Sequence, residues 1–122
     1  MQKKGRSFHT KVVGVTFRNN DGSDRQDIIA RCRPGDELAL SSEPENPHAD
    51  HAVAVYCNQR RWFRGVKTFQ IGYLPEESGV AAGVFEHIEA GGGGEAQITD
   101  VTGGTRDKPT MGVNIRITLW GG

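Results

Sequence analysis

The chain has 122 residues, no net charge at neutral pH, 17 glycines, five prolines and a hydrophobic fraction of 35%, which suits one modest core of short strands and excludes a second, catalytic domain. No apolar stretch approaches the ~20 residues that cross a bilayer, and Met1 to Lys4 leads into no hydrophobic signal-peptide core, so a soluble, intracellular, cytoplasmic protein is expected. Cys32 and Cys57 lack CxxC spacing, which excludes a disulfide framework or cysteine zinc site and leaves two free, partly buried thiols.

Residues 1–7 are polar and basic and read as a flexible arm ahead of a domain over residues 8–120. Phe8 to Phe17 is β-branched and aromatic enough for a strand, with Gly14 as a bend or bulge. Asn20-Asp21-Gly22 marks a turn-rich connection. Ile28-Ile29-Ala30 reads as a short strand before the turn at Arg33-Pro34-Gly35-Asp36, and Glu37 to Ser41 as the next. After a loop over Glu43 to Asp50, Ala52 to Tyr56 is an apolar run of the kind found in a buried barrel strand. Asn58 to Thr68 is a polar and aromatic excursion that returns into a strand over Phe69 to Leu74.

Pro75-Glu76-Glu77 is a helix-start signal, because proline fixes a helical φ and the acids favour the positive end of the helix dipole. Val80, Ala81, Val84, Phe85 and Ile88 then recur at helical spacing. Gly91 to Gly94 ends the helix as a flexible connector, and without a following Lys-Ser/Thr it is no phosphate loop. Ala96 to Val101 is a fifth core strand, Gly103 to Pro109 a loop, and Val113 to Leu119 alternates strictly as a strand with one buried face. The expected fold is mainly β: a small OB-like barrel of five to six strands, with one helix inserted before the last two.

The zero net charge is a sum of segregated blocks. Residues 1–34 carry eight basic and three acidic side chains, and 60–67 carry Arg60, Arg61, Arg64 and Lys67 with no acid; residues 35–59 hold five acids and 68–100 hold six, neither with a Lys or Arg. If the basic blocks share a face, that face holds phosphates; otherwise they are solvated surfaces. In Arg60-Arg61-Trp62-Phe63-Arg64-Gly65-Val66-Lys67, cations for phosphates alternate with ring faces for bases. The competing reading tucks Trp62 and Phe63 into the barrel rim. His48, Asp50 and His51 are metal-ligand types, but a site needs at least one more ligand and no spacing makes His9 or His87 converge on them, so no metal and no other cofactor is expected. No nucleophile elbow, zincin or Walker string is present, and Glu76-Glu77 suits a first helical turn better than a catalytic dyad, so no enzyme is expected.

Three strings in this order, Val13-Gly14-Val15-Thr16-Phe17, Glu43-Pro44-Glu45-Asn46-Pro47-His48 with Ala52 to Val55, and Ile71-Gly72-Tyr73-Leu74-Pro75, resemble the HIRAN domain of bacterial proteins and of fork-remodelling ATPases. The resemblance runs from about Phe8 to Trp120. It implies an OB-like barrel that binds single-stranded DNA or DNA ends. By the same resemblance Phe17 is a stacking aromatic, Arg18 a phosphate ligand, His48 a second stacking ring and Tyr73 a contact at the helix start. Ala49 stands where the family carries an aspartate against the terminal hydroxyl, with Asp50 one place along; Glu76 lies near a basic position and Met111 near a stacking phenylalanine. Phe17, Arg18, His48, Asp50, Tyr73 and Met111, with Arg61, Trp62, Arg64 and Lys67, make the expected DNA site. The alternative partner is a DNA-processing ATPase or nuclease recruited by the barrel as an adaptor, anchored by Trp62 and Phe63.

Overall fold

The structure is a computed structural model that describes residues 5–61 and 65–121, with side chains described up to Asn58 and from Lys67 onward. Strands β1 (Arg6–Lys11), β2 (Glu37–Glu43), β3 (Ala52–Arg61), β4 (Gly65–Tyr73), β5 (Gly93–Thr102) and β6 (Gly112–Trp120) form one antiparallel sheet in the order β1-β6-β5-β2-β3-β4. Helix α1 (Arg25–Ile29) follows β1, and α2 (Val80–Glu89) precedes the last two strands. The sheet closes on itself just beyond β1. There Val12 N–H donates to Val113 O at 2.9 Å, on the β6 side, and Val13 exchanges bonds of 2.8 and 2.9 Å with Tyr73 of β4. Closure removes part of the open edge that a curled sheet otherwise presents.

The alternation in β6 buries Val113, Ile115, Ile117 and Leu119 and leaves Asn114 and Arg116 exposed. Val53, Val55 and Cys57 of β3 face them across the same core, with Ile71 of β4 and Ile98 of β5. Each such side chain contributes about 1.5–3 kcal/mol by leaving water. Helix α2 buries Ala81 and Val84 and lays Val80, Phe85 and Ile88 against the core, as their spacing predicts. Among the described residues no helix is long and apolar enough to cross a membrane.

Five local expectations change. The strand expected over Phe8 to Phe17 is β1, Arg6–Lys11, and the chain turns out of the sheet at Gly14, whose φ is 71°, before it reaches Phe17. Ile28 and Ile29 belong to α1: the Asp24 carboxylate caps it by accepting from Gln26 N at 2.9 Å, and Ile28 N–H reaches back to Asp24 O at 3.1 Å. A short apolar run fits either period, and the cap decides it. The excursion at 58–68 is a continuation of the β3–β4 hairpin, paired through Asn58↔Thr68 to Arg61↔Gly65. Helix α2 starts at Val80 instead of Pro75, because Ser78 and Gly79 have φ of 57° and 71° and break a 3-10 turn from the helix. Gly93 and Gly94 are not connector but the start of β5. Two rings lie across this run: a Cβ on Gly92 would collide with the His87 imidazole and one on Gly93 with the Trp120 indole. His87 Nε2 sits 3.1 Å from Gly93 O and 3.0 Å from Trp120 O.

Both cysteines are buried thiols outside any disulfide, with Cys32 Sγ 3.7 Å from Cys57 Sγ and 3.4 Å from Ile28 O. The contact with the Cys32 thiol, and then burial, push the Cys57 thiol far above its ordinary value. A buried, protonated thiol is a poor nucleophile. In the native protein at pH 8, neither cysteine should react with a disulfide reagent such as Ellman's, and both should titrate once guanidinium unfolds the chain. A fast-reacting thiol in the folded protein would contradict this packing.

Candidate nucleic-acid interface

Beyond Val13 the chain must leave the barrel seam, and Gly14, with φ of 71°, makes that turn where a side chain would be strained. The turn delivers Phe17 to the surface at 65% exposure, far more than any core aromatic tolerates. A ring presented to water in this way is available for stacking. The loop is then tied back to the seam: Asn19 Nδ2 donates to Gln70 O of β4 at 2.9 Å and to the Ser23 hydroxyl at 3.0 Å.

Arg25, the first residue of α1, is the centre of the arrangement. Only 6% of it is exposed. Its Nε donates to Asn19 Oδ1 at 2.8 Å and its Nη1 to Gly14 O at 2.8 Å, while the guanidinium lies 5.5 Å from the centroid of the Tyr73 ring. The Tyr73 hydroxyl in turn donates to Glu43 Oε1 at 2.9 Å, an oxygen that also accepts from Asn46 Nδ2 at 2.9 Å. Donation to a carboxylate leaves the phenol ring richer in electrons, which strengthens its attraction for the cation on its face. Nearby, burial and then the charge of Glu43 raise the Tyr56 hydroxyl above its usual value, with Arg25 pulling the other way.

His48 is exposed, and its N–H donates to Asn46 Oδ1 at 2.8 Å, so the Asn46 side chain fixes the turn that carries it. Asp50 is exposed and Ala49 half-buried in the same loop. His51 sets its ring edge-on to Phe85, 5.1 Å between centroids, which assigns it to packing on α2. Arg18 follows Phe17 but is paired, 3.7 Å from Asp24, with Nη1 also on Gly22 O at 3.2 Å. Met111 packs at the fringe of the core, and its backbone N–H and C=O are both held by the Gln26 side-chain amide, at 2.8 and 2.9 Å; that amide also donates to Val15 O at 3.0 Å.

Lys67 is exposed with Nζ 5.4 Å from the Phe69 centroid. Hydrogen bonds from the Ser23 hydroxyl and backbone hold the Asp21 carboxyl below its ordinary range, and the charge of Lys67 adds to the lowering. The bond from Asn19 to Gln70 O sets the loop that follows Phe17 against β4, the strand that also carries Lys67. The side chain of Arg61 and the whole of Trp62 and Arg64 lie outside the described residues. The structure thus joins Phe17 and Tyr73 through a residue the sequence reading had passed over, Arg25, and connects His48 to them through Asn46. Asp24 directly before Arg25-Gln26 was the available signal, since aspartate caps a helix, but nothing local shows that the arginine turns inward.

The family model of the HIRAN domain matches residues 5–103. Among solved structures, the HIRAN domain of human HLTF is similar at a TM-score of 0.64 and 17% identity, over 98% of this chain and 79% of that one. A protein from Lactobacillus plantarum is similar at a TM-score of 0.64 and 14% identity, over 98% of each chain. Both likenesses concern the fold. No curated protein matches the sequence significantly.

Proposed function

Because this chain belongs to the HIRAN domain family, we propose that it is a non-catalytic module that binds single-stranded DNA, at frayed or terminal segments, across the barrel seam. The observation that carries this reading is the exposed Phe17 ring set beside the Arg25–Tyr73 pair. Aromatic faces take unpaired bases, cations take phosphates, and neither requires a defined sequence. His48 extends the stacking surface, and Arg61, Trp62, Arg64 and Lys67 on the β3–β4 hairpin extend the path of the strand. Ala49 supplies no carboxylate to a terminal hydroxyl, so hydroxyl and phosphate ends are accepted alike.

Fluorescence anisotropy with labelled oligothymidylate at low and physiological salt tests the reading. Affinity should fall with salt, at a slope of about −0.7 per phosphate neutralised. Arg61→Ala with Arg64→Ala should weaken all single strands equally and flatten that slope, because phosphate contacts carry no sequence information. Oligonucleotides differing only in a 3′ hydroxyl or 3′ phosphate should compete equally. Absence of salt-dependent binding would remove the basis for a DNA module.

A further inference from the structure

We propose that Arg25 is the group that receives a phosphate of the bound strand, beside the base stacked on Phe17, and that Arg18 is not. This rests on the single-strand reading above and names the residue that anchors it.

A guanidinium stays charged wherever it is placed, and burying a charge without an opposite charge is strongly unfavourable. Arg25 is 6% exposed, and its partners are an amide oxygen, a backbone carbonyl and a phenol ring, all neutral. Among the described residues no carboxylate stands within 4 Å of it; the ion pair found there is Arg18–Asp24. Glu43 is held off at the hydroxyl end of the Tyr73 ring. Among the described residues Arg25 is thus a buried charge with no carboxylate against it, open to compensation by an anionic ligand.

The geometry says where that something sits. Nε and Nη1 are committed to Asn19 and Gly14, whereas Nη2 has no acceptor among the described residues. No fully buried side-chain nitrogen there lacks a partner, so Nη2 reaches the surface. A Cβ built on Gly14 would lie 3.3 Å from Arg25 Nη1 and 3.5 Å from Phe17 Cδ2, so guanidinium and exposed ring flank the same α-carbon. Two hydrogen bonds and a ring face hold the fork before any ligand arrives, which lowers the entropic cost of binding. Planar guanidinium N–H groups match phosphate oxygens. Arg18, by contrast, has its side chain 70% exposed, with Asp24 at 3.7 Å and one N–H on Gly22 O, so no comparable frame holds it in place for a ligand.

The test is a cycle between the arginine and the charge of the ligand. Wild type, R25Q, R25K and R18Q are titrated with oligothymidylate and with the same oligomer bearing neutral methylphosphonate linkages, after circular dichroism melts establish folding. Wild type should bind the charged strand at least about tenfold more tightly than the neutral one at low salt. That ratio should shrink severalfold in R25Q, persist in R18Q, and shrink by a smaller but measurable factor in R25K, which keeps the charge but not the fork that matches phosphate. A folded R25Q with the wild-type ratio would overturn the role of Arg25 and leave the DNA reading standing. Should R25Q not fold, R25K decides: loss of affinity for both strands by equal factors would make Arg25 a positioning residue only and overturn the proposal. If wild type binds neither strand, the single-strand reading itself fails.

Discussion

Gly72→Ala is expected to destabilise the domain by about 3 kcal/mol or more, lowering Tm by roughly 10 °C or more. A Cβ at Gly72 would press into the carbonyl oxygen of Val13 and lie 2.6 Å from Val12 Cγ1. Backbone occupies that space, so no side-chain rotation relieves the contact. The paired bonds between Val13 and Tyr73 close the barrel at this point, and forcing the strands apart lengthens both. Gly83→Ala is the control. Nothing lies within 4 Å of its Cβ position in α2, so the same chemical change there should stabilise by about 0.5–1 kcal/mol through the helix preference for alanine. Thermal and urea melts of the two variants check the pair; similar stabilities would show that the seam is looser than described.

Phe17→Ala should cost about 1–3 kcal/mol of single-strand binding, a 5- to 150-fold loss of affinity, with little change in Tm. The separation of the two effects is the point. A core phenylalanine replaced by alanine would lose 3–5 kcal/mol of stability, by roughly the usual scale, whereas a ring 65% exposed has little packing to lose. Substitutions at such surface positions generally stay within about 0.5 kcal/mol. Anisotropy titration alongside a melt decides between stacking and structure. Unchanged affinity in a folded Phe17→Ala protein would refute the stacking role, and a large fall in Tm would return the ring to the core.

The same seam explains why the two residues matter differently. Gly72 is needed because β4 and the end of the β1 segment approach too closely for any side chain, while Phe17 is displayed because the chain leaves that approach through the turn at Gly14. One supports closure and the other uses the exit from it.

What the sequence determined by itself was whatever local periodicity encodes. Alternation along Val113 to Leu119, the apolar run Ala52 to Val55 and the helical spacing of Val80 to Ile88 each bury a face dictated by their own neighbours, so strand, strand and helix were legible, as was the mainly β class. Boundaries set by distant partners were not. Ile28 and Ile29 fit a strand until the Asp24 cap and burial of α1 against β4 made them helical, and Gly93 looked like linker until the Trp120 indole claimed the space over it. The site depended on tertiary structure still more. Asn19 meets Gln70 across 51 positions and Gln26 meets Met111 across 85; these long-range bonds turn Arg25 inward against Tyr73 and leave Arg18, beside the aromatic, exposed with Asp24 at 3.7 Å. Charge and aromaticity are properties of a residue and can be read in one dimension, whereas which cation is buried without an acid is a property of the closed barrel.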